Sequence, residues 1–365
     1  MSTTDTLVTR RTLLEARGLE HRFGSRHSLL PGRGRPIRAV DGVDLAVREG
    51  ETFGLVGESG CGKSTLGRLL IRLLEPSAGS VHFDGVDLSS LRGPALRRMR
   101  SQMQMIFQDP FGSLDPSWRV GRIVAEPLRA QGVGPRDGLE SRVAELLALV
   151  GLDESMAGRL PAAMSGGQRQ RVGIARAIAA QPRFIVADEP VSALDVSVQA
   201  QVLNLLRDLQ DRLGLTFVII AHGLNVVRHV STTVGVMYLG RLVEVGPTDE
   251  VFESFAHPYT AALMSAVLAP EHSRGRHRII LPGEVGSAAR VPGGCRFHPR
   301  CPLRQPRCET DDPTLQAIGP DHAVACHFPL SSTDRASLQV ASSQGSSHPS
   351  ASSDVDTSGG LDNAL

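Results

Sequence analysis

The chain has 365 residues, 41% of them apolar, and a formal net charge of +1. This length exceeds one average domain and supplies ample apolar side chains for a buried core. The near-zero charge argues against nucleic acid as a partner recruited by bulk positive charge, and no run of about 18 apolar residues offers a membrane span.

Met1-Ser2-Thr3-Thr4-Asp5 lacks the charged and apolar regions of a signal peptide, so a cytosolic chain is expected. In that setting the five cysteines are expected as reduced thiols or metal ligands. Residues 1–12 are polar and expected to be disordered. Leu13–Phe23 and Ile37–Val47 read as strands, with a Gly- and Pro-rich loop, Gly24–Pro36, between them. Glu51–Val56 is a short apolar run, a buried strand.

Gly57-Glu58-Ser59-Gly60-Cys61-Gly62-Lys63-Ser64-Thr65 follows, and it fits G-x-x-x-x-G-K-[ST]. After it Leu66, Leu69, Leu70, Leu73 and Leu74 recur at helical spacing. Strand, glycine loop and helix together make a phosphate cradle. Gly57, Gly60 and Gly62 let backbone N–H groups curl round phosphate oxygens. The helix points its positive end at the same anion. Lys63 adds a point charge for the β/γ phosphates, and the Ser64 hydroxyl is placed to bind Mg²⁺. Lys63 is the only lysine; every other cationic side chain is arginine. A compact ammonium fits where a guanidinium fork does not.

Val81-His82-Phe83 with Gly85 reads as a hairpin, Gly93–Met99 as an Arg-rich helix and Met103–Gln108 as a strand broken by Asp109-Pro110. Helical patterns at Val120–Gln131 and Leu139–Val150 make a helical insert over residues 109–181. Ser165-Gly166-Gly167-Gln168 opens its last helix. Ser165 as N-cap and Gln168 at N3 form a capping box, and the first-turn N–H groups offer a second anion site. Arg183–Pro190 is an apolar strand ending in Asp188-Glu189. Asp188 can hold Mg²⁺ and Glu189 can polarise a water against the γ-phosphate. A helix runs through Val198 to Leu213. Leu215–Ala221 is a buried strand ending at His222, and Val234–Leu239 with Leu242–Val245 is a closing hairpin. Alternating strands and helices with continuous apolar runs predict an α/β fold, a mostly parallel sheet covered on both faces. Beyond Val251 come a helix at His257–Leu268, an Arg-, Gly- and Pro-rich stretch at Arg274–Gly294, four cysteines, and a Ser-rich tail at 331–365 expected to be disordered.

Gly57–Thr65, Gln108, Ser165–Gln168, Asp188-Glu189, Ser192-Ala193-Leu194-Asp195 and His222, in that order, resemble the ATP-binding subunit of an ABC transporter. The resemblance covers Leu13 to about Val251 and implies a P-loop ATPase cassette at 13–255. It implies that two cassettes meet head to tail, each ATP lying between one phosphate loop and the partner's Ser-Gly-Gly-Gln. ATP would then contact Phe23, stacked on adenine, and Gly57–Thr65. Gln108 would sense Mg²⁺ and the transmembrane subunits, completing a Mg²⁺ set of Ser64, Gln108 and Asp188. Lys63, Glu189 and His222, the switch histidine, would be catalytic. Ser165, Gly166, Gly167, Gln168 and Asp195 would act on the partner's ATP. Three departures stand out: Met164 where Leu is usual, Val191 where Thr is usual, and Gly223 where Asp is common.

Gln108–Pro116, Ala125-Glu126-Pro127-Leu128, His257-Pro258-Tyr259-Thr260 and Cys295–Pro302 resemble the dipeptide/oligopeptide/nickel importers, whose extension would occupy 256–330. That resemblance implies ATP-driven import of peptides, with nickel or another non-peptide solute, or a soluble non-transport ABC ATPase, as alternatives. It implies a second homologous ATPase, two permease subunits, an extracytoplasmic solute-binding protein, and residence on the cytoplasmic face of the membrane. Cys295, Cys301, Cys308 and Cys326 contain no C-x-x-C, so spacing does not support a zinc ribbon. The resemblance implies a [4Fe–4S] cluster on these four thiols; zinc and four free buried thiols are the alternatives.

Overall fold

The computed structural model describes residues 11–24, 36–109, 111–130, 132, 138–267, 279–283 and 286–335. The chain order is β1 (Thr12–Phe23), β2 (Ile37–Arg48), β3 (Thr52–Val56), α1 (Lys63–Leu70), β4 (Ala78–Phe83), β5 (Val86–Asp87), α2 (Gly93–Ser101) and β6 (Met103–Ile106). It continues with α3 (Val120–Ala130), α4 (Leu139–Leu149), α5 (Gly166–Ile178), β7 (Phe184–Asp188), α6 (Val196–Leu213), β8 (Thr216–Ile220), α7 (Leu224–Val230), β9 (Thr233–Tyr238) and β10 (Arg241–Pro247). The last elements are α8 (Thr248–Ser254), α9 (Pro258–Val267), α10 (Arg307–Thr310), β11 (Gln316–Ala317) and β12 (Ala323–Val324).

The main sheet has the order β11-β12-β10-β9-β3-β8-β7-β6, and its strands from β9 to β6 are parallel. Every residue of β3, β7 and β8 is buried, which is why these strands read as unbroken apolar runs. The expectation of one sheet needs correcting. β1, β2, β4 and β5 form a separate antiparallel sheet, ordered β2-β1-β4-β5. The sign is in β2, where Val43, Leu45 and Val47 are buried and their neighbours exposed, the alternation of a one-sided sheet. The β1–β2 register shifts between Ala16 and Leu19, beside Gly18 in the left-handed region.

The helical insert is present as α3, α4 and α5, packed with α6 in one apolar core that includes Val124, Leu146, Val172 and Leu206. A second core, containing Leu14, Val43, Leu69 and Phe184, lies between the two sheets. Helix α1 is shorter than its leucine spacing predicts. It stops at Leu70, and Arg72 turns left-handed at φ +56°, its buried guanidinium donating to the Leu88 carbonyl. Leu73 is left exposed.

The extension is not a separate body. Cys295, Phe297 and Cys308 share a third core with Val236, Tyr238 and Tyr259, and β12 pairs with β10 to lengthen the main sheet. At the start of the tail Ser331–Arg335 is described, and Arg335 donates to the Leu330 and Phe255 carbonyls. The expected disorder at 1–10 and 336–365, and most of the Gly24–Pro36 loop, lie outside the described residues.

Candidate functional site

The site lies at the carboxyl ends of β3, β7 and β8, the place where an open α/β sheet leaves a crevice. After β3 the chain must turn sharply into α1, and glycine makes this feasible. A Cβ on Gly57 would lie 2.2 Å from the Met237 carbonyl oxygen, and one on Gly62 would lie 2.0 Å from that of Ala39. Gly60 has open space around it but a φ of +78°. Gly62 is the N-cap of α1, and no side chain bonds the first-turn N–H groups. Those donors are left for a ligand.

Lys63 is buried and donates to the carbonyls of Gly57 (2.7 Å) and Glu58 (3.0 Å), holding the loop closed around its ammonium. Burial pushes the Cys61 thiol up, against the pull of Lys63, so it stays protonated and inert. Ser64 donates to Asp188 Oδ1 at 2.8 Å. Burial raises the Asp188 carboxyl above its usual range, opposed by Ser64, Arg68, Lys63 and His222. A hydroxyl and a carboxylate oxygen side by side suit a hard cation such as Mg²⁺, and a cation there would favour the charged carboxylate.

Glu189 comes next. It is 6% exposed and takes φ +48°, a left-handed backbone held by a bond from its N–H to the Ile220 carbonyl. Left-handed backbone at a non-glycine residue is costly and gathers at functional sites. The turn aims the carboxylate at two of the predicted site residues, a contact the sequence did not predict. Gln108 donates to Oε2 at 2.6 Å, and His222 Nε2 lies 2.5 Å from Oε1. Lys63, Ser64, Gln108, Asp188, Glu189 and His222 are thus linked into one constellation from four segments of chain. Phe23 ends β1 with its ring 42% exposed, 4.5 Å from the His21 ring, available for stacking.

The second predicted group stands apart. Ser165 caps α5, accepting from the Gln168 N–H at 3.3 Å, while Gln168 accepts from the Ser165 N–H at 3.0 Å. Gly166 and Gly167 back onto Leu194 and Val198, and Asp195 is the N-cap of α6 beside them. The departures from the family pattern are accommodated. Met164 and Val191 are buried in the helical core, and a Cβ on Gly223 would meet only Val226 at 3.7 Å.

Sequence reasoning missed two residues at the phosphate loop. The Glu58 carboxylate accepts both arms of Arg300, at 2.7 and 3.0 Å, and the Glu58 N–H donates to the Tyr259 hydroxyl at 2.8 Å. These partners lie more than 200 residues downstream, so no local pattern signals them.

Comparison with known proteins agrees with this geometry. Residues 40–192 match the family described as ABC transporter. The chain is 48% identical to the oligopeptide transport ATP-binding protein AppF of Bacillus subtilis, over 88% of this chain and 99% of that protein. It is 50% identical to the probable peptide ABC transporter ATP-binding protein y4tS of Sinorhizobium fredii, over 80% and 82%. Among solved structures it resembles the dimeric cassette MJ0796 in a post-hydrolysis state bound to ADP and Pi. That likeness has a TM-score of 0.58 and 28% identity, and covers 65% of this chain and 99% of that one. The chain belongs to the ATP-binding subunits of ABC transporters, and it is an ATPase. Within that family it falls in the branch marked by the oligopeptide/dipeptide transporter C-terminal region, matched here at residues 243–308.

Proposed function

We propose that this ATPase powers import of dipeptides or oligopeptides through permease subunits supplied by other chains. The observation that carries the reading is the pairing of the Lys63–Ser64–Asp188–Glu189 constellation with a C-terminal region of the oligopeptide/dipeptide type. Among the described residues no helix is long and apolar enough to cross a membrane, so the path for the solute lies in partners. A groove of about 780 Å³, lined by Arg100, Phe107, Gln108, Asp109, Glu126 and Arg176, opens between the sheet and the helical insert. Its position beside Gln108 supports a permease docking there, against the cytoplasmic face of the membrane. An extracytoplasmic solute-binding protein and a second, homologous ATPase complete the proposed assembly.

In the proposed cycle Gly57–Thr65 hold the triphosphate and Phe23 stacks on adenine. Ser64, Gln108 and Asp188 would hold Mg²⁺, which neutralises charge on the β and γ oxygens when bound. Glu189 takes a proton from the attacking water. His222 orients that carboxylate, and Ser165–Gln168 with Asp195 act on the partner's ATP. Gln108 spans the two jobs, since it touches both Glu189 and the groove. Reconstitution with the adjacent permeases in liposomes tests the whole reading: peptide uptake that depends on ATP is expected. Transport of nickel alone would overturn the solute class.

The four late cysteines are proposed as ligands of a [4Fe–4S] cluster. Burial pushes the Cys301 thiol up to about 11 and Cys326 to about 12, and the other thiols add to both effects. The Cys295 N–H donates to the Cys308 carbonyl at 2.9 Å, joining two of the loops that carry them. Yet no three His, Cys, Asp or Glu side chains among the described residues converge as a single ion requires. Thiolates around zinc, at Zn–S bonds of about 2.3 Å, need that convergence; a polynuclear cluster spreads its ligands further. Anaerobically purified protein is expected to be brown, with about four iron and four sulfide per chain. Colourless, metal-free protein with full activity would sink the cluster.

A further inference from the structure

We propose that the C-terminal extension is a positioning element of the nucleotide site, with Arg300 and Tyr259 holding Glu58 so that the phosphate loop keeps its shape and charge. Glu58 is fixed at three points. Its carbonyl accepts from Lys63, its N–H donates to the Tyr259 hydroxyl, and its carboxylate takes a two-armed bond from Arg300. Two of the three anchors come from the extension. Both belong to the stretches His257–Thr260 and Cys295–Pro302, which the ATPase chemistry left without a task.

The anchors are rigid. Arg300 is 8% exposed and also meets the Tyr238 hydroxyl. Tyr238, Tyr259 and Phe297 pack ring to ring with centroids 4.7 to 5.5 Å apart. Arg296, in the same stretch as Arg300, bonds the Leu239 carbonyl and Asp41 of β2. Pre-organised, buried groups of this kind lose little entropy when they bind. The charge matters as much as the geometry. A bare carboxylate in the phosphate loop would repel the triphosphate, and Arg300 cancels it. Tyr259 takes up the Glu58 N–H, so this loop donor has a partner within the chain.

The test is ATP affinity of the full chain, read with a fluorescent nucleotide analogue, beside Tm and the split between KM and kcat in the assembled transporter. Arg300→Met is expected to raise Kd and KM about tenfold, with kcat at saturating ATP within about twofold of wild type. Glu58→Gln added to Arg300→Met removes the stranded charge and should bring Kd back to within about threefold. Tyr259→Phe keeps the ring, folds, and should raise Kd about threefold. Wild-type Kd in both Arg300→Met and Tyr259→Phe overturns the proposal. So does a rise in Kd that follows a fall in Tm and that Glu58→Gln does not reverse. If Arg300→Met does not fold, Tyr259→Phe alone decides, by whether its Kd and KM move together while kcat stays.

Discussion

Two helices of this ATPase begin on glycine-rich turns, and they end their turns in opposite ways. At α1 the N-cap is Gly62, and no side chain satisfies the first-turn donors. At α5 the Ser165 hydroxyl and the Gln168 amide close the capping box on each other. The first end is open for an anion and is ringed within one chain by Lys63, Ser64 and Asp188. The second has two of its N–H groups, those of Ser165 and Gln168, taken by its own side chains, and none of its described hydrogen bonds reaches the phosphate loop. Binding is therefore built into one chain, whereas the proposed chemistry at the second end needs an anion brought by another.

The sharpest break in that comparison is Glu189→Gln. The amide can still accept from Gln108 but cannot take a proton. Phosphate release by the assembled transporter should fall about 10²–10⁴-fold while ATP still binds. Near-normal turnover would remove Glu189 from the proposed role. Lys63→Met attacks the open end directly, and ATP Kd should rise about 100-fold in titrations of the single chain. Arg at the same position should not rescue it, because the buried carbonyl pocket of Gly57 and Glu58 fits a compact ammonium. Ser165→Ala probes the closed end. Loss of the cap costs about 1 kcal/mol and lowers Tm by a few degrees. Hydrolysis in the assembly should fall about tenfold or more, with single-chain ATP affinity unmoved. A changed single-chain affinity would erase the contrast between the two ends.

A pH dependence arises behind the open end. His257 is fully buried and its Nδ1 accepts from the Tyr259 N–H at 3.0 Å. Burial lowers its pKa to about 4, against a partial pull upward from Glu244. The native state therefore binds fewer protons than the unfolded chain between pH about 4 and 6.5. Stability from this group is full above that window and is lost as pH falls through it, by up to about 1.4 kcal/mol per pH unit. Thermal unfolding from pH 7 to 4.5 should show that slope, and His257→Asn should flatten it.

Much of the site was legible because its chemistry is backbone chemistry. Gly57, Gly60 and Gly62 are dictated by positive φ and by clashes a Cβ would make, so they carry a local signature. The capping box at Ser165–Gln168 is legible for the same reason. Asp188 and Glu189 could be placed because a wholly buried strand must stop somewhere, and its last polar residues face the crevice. The Arg300–Glu58 clamp was not legible, since a contact between distant segments has no spacing to read. Nor was the second sheet, because β1 and β4 carry bulges and short alternations that resemble any half-buried strand. Strands β11 and β12, at two residues each, are too short to show a period.

Those two short strands have a wider consequence. Without them β10 would present a row of unpaired N–H and C=O groups at the margin of the six strands that remain, beside the buried Glu244 carboxylate. Bare margins of this kind recruit strands from other molecules and lead to aggregates. Here β12 covers the margin, and His322, from the same turn, bonds Glu244 at 2.9 Å. A chain ended at residue 255 should therefore clump on expression, however complete its phosphate loop. In solution terms the extension is a solubility cap, and any trimming of this ATPase has to leave it in place.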